Sequence, residues 1–90
     1  STKNQDLKKR LLAYHKDKII TIDIEDVVYI VLAETVSVLT LQNNTYTINS
    51  SLDELMRQLN NEIFYRANRQ YIVNINGYNF ILMISKKPLF

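Results

Sequence analysis

The sequence predicts a mostly β domain with one short helix, and three observations support this fold class. Ile20, Ile22 and Ile24 alternate with polar residues, which is the period of a half-buried strand. Residues 27–32 form a continuous apolar run that is typical of a strand buried on both faces. Residues 51–59 carry a helical pattern. Because consecutive strands usually pair with each other, we expect antiparallel pairing along the chain.

Turn signals separate the strands. Lys16-Asp17 follows the short apolar run at 11–14 and predicts a turn. Asn43-Asn44 lies between two alternating runs, and Asn tolerates positive φ, which predicts a tight hairpin. Further strand-like segments lie at 36–41, 45–48, 63–65, 71–73 and 80–84.

The helix is predicted from its start and from its apolar stripe. Ser51 and Glu54 match the capping box, in which each side chain accepts from the other residue's backbone N–H. Leu52, Leu55, Met56 and Leu59 fall on one face of a helix of about three turns. We expect this face to pack into the core and the helix to end at Asn60-Asn61.

Composition excludes several classes of function. The 90 residues include no Cys and a single Gly, which excludes disulfides and thiol catalysis and disfavours glycine-rich phosphate loops. His15 has no second His or Cys with which to form a metal site, and the acidic group Asp23, Glu25 and Asp26 has no convergent partner. We therefore expect no enzyme and no cofactor. No apolar run approaches the roughly 20 residues of a membrane span, and the lack of Cys fits a cytoplasmic protein.

Charge is unevenly distributed along the chain. Residues 1–18 carry six basic and two acidic side chains, residues 19–62 carry one basic and seven acidic, and residues 63–90 carry four basic and none acidic. Basic ends around an acidic middle allow a one-sided positive face, although solvated charge on an ordinary surface gives the same counts.

The basic segment 66–70 lies between two apolar strands. It reads Arg66-Ala-Asn-Arg-Gln70, and Arg, Asn and Gln are the side chains that form bidentate contacts to base edges. The same groups bind phosphates, and a polar loop between strands also contains them by chance. Nucleic-acid binding is therefore one interpretation of this segment.

Three motifs in order resemble LytTR-type DNA-binding domains. Residues 64–74, Phe64-Tyr-Arg-Ala-Asn-Arg-Gln-Tyr-Ile-Val-Asn74, resemble the family signature F-x-R-x-H-R-S-(Y or F)-x-V-N. Residues 51–55 resemble the family's short helix, and residues 24–29 its strand motif E-D-I-x-Y. Asn68 stands in place of the usual His and Gln70 in place of the usual Ser.

The resemblance implies small antiparallel sheets around one short α-helix, with residues 1–9 as a linker or tag remnant and residues 10–90 as the domain. It also implies sequence-specific binding of double-stranded DNA through loops at the sheet edges. The implied partners are an upstream receiver domain with its histidine kinase and a second copy on repeated half-sites.

Carried onto this chain, the resemblance implies three DNA-binding places. These are the break at 33–35 with Glu34 and Thr35, the segment with Arg66, Asn68, Arg69 and Gln70, and the C-terminal Ser85, Lys86 and Lys87, which resembles the family's closing Ser-Arg. Arg69 is the first candidate for a base or phosphate contact, and Lys86 and Lys87 for phosphate contacts.

Structural roles compete with several of these assignments. Asn68 and Gln70 are possible adenine contacts or turn caps, and Arg66 is a phosphate contact or one half of an ion pair. We expect Phe64, Tyr65 and Tyr71 to lie in the core. Two other classes remain open: a single-strand nucleic-acid module that uses exposed aromatic rings, and a protein-interaction domain that docks a partner on an edge strand.

Overall fold

The computed structural model describes residues 9–76, which form a mostly β domain with one short helix, as predicted. The segment that precedes residue 9, the predicted strand at 80–84 and the Ser85-Lys86-Lys87 motif lie outside this range. The elements in order are β1 (Arg10–His15), β2 (Lys18–Asp23), a 3₁₀ turn (Ile24–Asp26), β3 (Val27–Leu32), β4 (Val36–Thr40), β5 (Thr45–Ile48), α1 (Leu52–Gln58), β6 (Phe64–Arg66) and β7 (Tyr71–Asn74).

The seven strands belong to one antiparallel sheet with the order β2-β1-β5-β4-β3-β7-β6. The resemblance implied several small sheets, and the difference lies at one place. β1 and β5 pair at a single position, where Tyr14 is opposite Thr47, whereas the other neighbours pair over three or more positions. The ladder that joins the β1–β2 hairpin to the five-stranded sheet thus consists of one pair of residues.

Three connections lie at the same end of the sheet, and the β1–β2 turn lies beside them. β3 ends where β7 begins, since Val31 is opposite Tyr71, and β5 ends where β4 begins, since Ile48 is opposite Val36. The upper end of the sheet therefore holds the β3–β4 loop (33–35), the segment 49–51 and the β6–β7 loop (67–70). The turn at 16–17 lies at the same end, because it lines an open depression together with the β3–β4 loop. The 3₁₀ turn and the β4–β5 loop lie at the lower end, where Leu41 N–H donates to the carbonyl oxygen of Asp26 at 2.9 Å.

Both predicted turns are confirmed, one of them with a different loop length. Lys16 and Asp17 have φ of 51° and 67°, the left-handed pair that a two-residue hairpin needs. Asn43 has φ of 67°, but its hairpin has a four-residue loop, 41–44. Thr40 closes this loop through its hydroxyl group. The hydroxyl donates to the carbonyl oxygen of Asn44 at 3.3 Å and accepts from the N–H of Asn44 at 3.4 Å.

Helix α1 packs on one face of the sheet and is shorter than predicted. Ser51 Oγ accepts from Glu54 N–H at 3.1 Å and Glu54 Oε1 accepts from Ser51 N–H at 3.0 Å, so the capping box is confirmed. The helix has seven residues, because Leu59 is already extended at ψ 157° while its side chain stays buried. The core contains Leu11, Ala13, Ile22, Val27, Ile30, Val36, Val38, Ile48, Leu52, Leu55, Leu59, Phe64 and Ile72.

The central strand β3 lies between β4 and β7 and begins with a bulge. Val27 is opposite Thr40 and Tyr29 is opposite Leu39, which leaves Val28 as the extra residue. Val27 and Val28 are both buried, as predicted for the whole run. Burial alternates from Tyr29 onward, where Tyr29 is half-buried and Ile30 fully buried. β3 is therefore buried on both faces only at its bulge.

Candidate nucleic-acid interface

The β3–β4 and β6–β7 loops are neighbours at the upper end of the sheet. Leu32 N–H donates to the carbonyl oxygen of Gln70 at 2.8 Å, which extends the β3–β7 ladder by one bond into the two loops. Two of the three places implied by the resemblance are therefore side by side. Nothing in the sequence pattern alone indicates this contact, because the paired residues are far apart along the chain.

Asn68 organises the backbone of the β6–β7 loop. Its Oδ1 accepts from the backbone N–H groups of Gln70 at 2.8 Å and Tyr71 at 3.0 Å. Ala67 N–H donates to the carbonyl oxygen of Tyr71 at 3.0 Å and closes the turn. Two-point pairing with adenine needs both the oxygen and the nitrogen of the amide. In this conformation the oxygen is engaged by the loop, whereas Nδ2 has no hydrogen-bond partner among residues 9–76.

Arg66 forms an ion pair, which is one of the two roles that the sequence allows for it. Its Nη1 lies 2.9 Å from Asp53 Oδ1 on α1, and its side chain is 31% exposed. Nε donates to the carbonyl oxygen of Asn68 at 2.9 Å and Nη2 to that of Arg69 at 3.0 Å. Asp53 is a residue that sequence reasoning missed, since its exposed position in the first helical turn carries no sign of a partner in the β6–β7 loop.

Arg69 and Gln70 present their side chains to solvent. Both residues are exposed, and among residues 9–76 neither side chain has a hydrogen bond or ion pair to another residue. Their backbones are fixed, because the Arg69 carbonyl accepts from Arg66 and the Gln70 carbonyl from Leu32. Arg69 thus has a guanidinium without a partner among residues 9–76, on a loop whose backbone is held.

The β3–β4 loop is a tight three-residue connection with an acidic tip. Ala33 N–H donates to the carbonyl oxygen of Thr35 at 3.0 Å, and Glu34 and Thr35 are exposed. Within the described part of the chain, Glu34 has no ion-pair partner. An open depression separates this loop from the β1–β2 turn, which brings Lys16 to the same end of the sheet. Sequence reasoning missed Lys16 because its position depends on the β1–β5 junction.

The upper end is of mixed charge. Lys16, Arg66 and Arg69 share it with Asp17, Glu34, Asp53 and Glu54. Arg66 is already paired with Asp53. The positive face that the charge distribution allows is therefore not formed by these loops alone. The C-terminal cations Lys86 and Lys87 lie outside the described residues, as does Ser85.

The aromatic residues of the signature are divided between core and surface. Phe64 is 1% exposed and lies in the core, as predicted. The prediction is wrong for Tyr65 and Tyr71, which are 57% and 37% exposed, because strand alternation turns them away from α1. The Tyr71 ring meets Tyr29 edge to face at 5.7 Å. Asn74 is buried, and its Nδ2 donates to the carbonyl oxygen of Val27 at 2.8 Å.

Residues 9–76 contain neither a cluster of metal ligands nor a membrane-spanning helix. No group of three or more His, Cys, Asp or Glu side chains there could hold a metal ion. Over the same range, no helix has the length and apolar character needed to cross a membrane.

The sheet, the capped helix and the paired loops define a β-rich domain that presents loops from one end of its sheet. The family model of the LytTr DNA-binding domain matches residues 17–79. The chain therefore belongs to the LytTR family, whose members are DNA-binding rather than catalytic domains.

A solved structure supports the same assignment. It is the LytTr DNA-binding domain of a protein described as a methyl-accepting/DNA response regulator from Bacillus cereus, with a TM-score of 0.72 and 27% identity. The match covers 77% of this chain and 63% of that one, so this chain spans less than two thirds of the solved chain. None of the curated proteins compared with the chain matches it.

Proposed function

We propose that this chain binds double-stranded DNA in a sequence-specific way through its β3–β4 and β6–β7 loops, as the output domain of a transcriptional response regulator. The observation that carries the proposal is the hydrogen bond from Leu32 to Gln70, which holds the two loops side by side. Neighbouring strands lie about 4.8 Å apart. Two adjacent loops therefore fit together into a major groove about 12 Å wide.

Each residue has a proposed role that follows from its surroundings. Arg69 and Gln70 contact base edges or phosphates, because their side chains are exposed on a fixed backbone. Asn68 maintains the turn through Oδ1 and has Nδ2 for a contact. Glu34 and Thr35 enter the same groove from the neighbouring loop, where a carboxylate accepts from the cytosine amino group.

The closing segment completes the proposed interface. Ser85, Lys86 and Lys87 bind phosphates, which supplies affinity that the mixed charge of the two loops does not. The resemblance to response regulators supports a receiver domain, phosphorylated by a histidine kinase, as the regulator of binding. It also supports two copies of the domain on repeated half-sites.

The experiment is a selection of bound duplexes from a random-sequence pool with the purified chain, followed by sequencing. We expect one enriched motif, repeated at a fixed spacing if two copies bind. Mobility shifts with the enriched duplex and with a scrambled duplex of the same composition measure the specificity. Equal affinity for the two duplexes would contradict sequence-specific binding.

One observation favours a second candidate function, the binding of single strands. Tyr65 and Tyr71 are exposed, and exposed aromatic rings are what single-strand modules use to stack bases. Competition between the duplex and each of its separated strands distinguishes the two functions. We expect the duplex to compete better, and the opposite order would favour the single-strand function.

A further inference from the structure

We propose that Arg66 and Asp53 form a clamp that positions the β6–β7 loop, and that Arg66 acts on DNA through this loop rather than by contacting DNA. The inference rests on the proposed function, because it assigns the part that Arg66 takes in the same interface. It separates the two arginines of the segment: Arg69 contacts DNA, and Arg66 is a positioning residue.

The clamp joins three parts of the molecule through one guanidinium group. Nη1 of Arg66 is fixed by Asp53 on α1 at 2.9 Å. Nε and Nη2 donate to the carbonyl oxygens of Asn68 and Arg69 at 2.9 and 3.0 Å. A guanidinium presents its donors in a rigid planar fork, so the position of Asp53 sets the position of both carbonyl groups.

The clamp completes a set of hydrogen bonds to three consecutive carbonyl groups of the loop, those of residues 68–70. The carbonyl oxygens of Asn68 and Arg69 accept from Arg66, and that of Gln70 accepts from Leu32. The Arg69 side chain is thereby left exposed on a backbone that cannot turn freely. An interface that is ordered before binding loses less conformational entropy when DNA arrives, which raises its affinity.

The clamp is placed to affect the loop more than the whole fold. The Asp53 side chain is 78% exposed and that of Arg66 is 31% exposed. Exposed ion pairs contribute little to global stability because solvent screens them. Loss of the clamp should therefore appear as local opening of the loop, with the sheet intact.

Replacement of Asp53 gives a test in which the two explanations of Arg66 predict opposite changes in affinity for DNA. If Arg66 contacts phosphate, Asp53→Ala frees its guanidinium and removes a negative charge near DNA, so binding becomes tighter. If the clamp positions the loop, the same change weakens binding. Asp23→Ala is the matched control: Asp23 forms the other exposed ion pair of residues 9–76, with Arg10 at 3.1 Å, at the lower end of the sheet.

The binding experiment uses the full chain and the duplex enriched from the random pool. We expect Asp53→Ala to weaken binding about tenfold, the factor for ordering one additional residue, while Asp23→Ala leaves it unchanged or slightly tighter. Arg66→Lys keeps the charge but loses the fork, so we expect it to bind as weakly as Arg66→Ala. Tighter binding by Asp53→Ala, or full affinity of Arg66→Lys, would overturn the proposal.

Hydrogen exchange in the absence of DNA tests the clamp independently of the proposed function. The N–H groups of Gln70 and Tyr71 donate to Asn68 Oδ1, so their exchange reports the closed loop. We expect Asp53→Ala and Arg66→Ala to accelerate these two amides and to leave the amides of β4 and β5 unchanged. Unchanged exchange at Gln70 and Tyr71 would reject the clamp, whereas a wild-type chain that fails to bind duplexes would reject only the proposed function.

Discussion

The backbone N–H of Leu32 and the carbonyl oxygen of Gln70 are 2.8 Å apart, and this hydrogen bond joins the two loops that the LytTR resemblance assigns to DNA. Glu34 lies two residues beyond Leu32, and Arg69 lies one residue before Gln70. An acidic and a basic side chain are thus presented from adjacent loops at the same end of the sheet.

Arg69→Ala should weaken binding to the enriched duplex by about 1–3 kcal/mol, or about 5- to 150-fold, because an exposed guanidinium on a fixed backbone loses its base contact. Mobility shifts at constant salt measure the effect. Arg57→Ala is the control, because Arg57 is an exposed arginine on α1 and its substitution removes the same charge. Equal losses in the two variants would show that only net charge matters.

Glu34→Gln should strengthen binding to the random-sequence duplex pool by about threefold, because a unit charge about 6 Å from a phosphate in water is repelled by about 0.7 kcal/mol. If the carboxylate accepts from cytosine, the Glu34→Gln variant should also lose its preference for cytosine at one position of the DNA motif. Titration of the pool and repetition of the selection measure the two effects. Glu25→Gln, an exposed residue in the 3₁₀ turn at the lower end, should change neither.

The double variant Lys86→Ala, Lys87→Ala should reduce the slope of log Kobs against log salt by about 1.8, since each phosphate contact contributes about 0.9. Binding titrations over a range of salt concentrations give the slope. The matched double variant is Lys9→Ala, Arg57→Ala, which removes two exposed cations that belong to neither of the two loops. A slope that stays at the wild-type value in the Lys86, Lys87 variant would exclude these two residues as phosphate contacts.

Asn74→Ala should lower the free energy of unfolding by about 1–3 kcal/mol, because it leaves the buried carbonyl of Val27 without its donor. Urea denaturation measures this loss. Asn76→Ala, at an exposed position, is the control. Affinity for DNA should be retained under conditions where the variant is folded, since Asn74 ties β7 to β3 inside the protein. A variant as stable as wild type would show that this hydrogen bond contributes nothing.

Local chemistry made much of the fold predictable. The capping box of Ser51 and Glu54 and the turn at Lys16-Asp17 depend on residues close together in sequence, and both were found where the pattern placed them. The helix length was overestimated because the apolar stripe continues to Leu59, which packs into the core from an extended backbone. Periodicity indicates which side chains are buried, but it does not show whether the backbone at each of them is helical or extended.

The site was less predictable, because its contacts join distant segments. The identity of Asp53 as the partner of Arg66, thirteen positions apart, depends on how α1 is placed against β6 and β7. The surface position of Tyr65 and Tyr71 depends on which face of the sheet α1 covers. Arg69 is exposed, as the polar character of a segment between two apolar strands indicates, and its contact with DNA stays a prediction.

The backbone of the β6–β7 loop is held by Arg66, by Asn68 and by Leu32, and none of its hydrogen bonds uses the side chains at 69 and 70. Substitution at these two positions can therefore change which chemical groups the loop offers without changing its shape. The scaffold is accordingly evolvable: related domains can diverge toward different target sites by exchanging a pair of side chains, and an engineer can do the same on this chain.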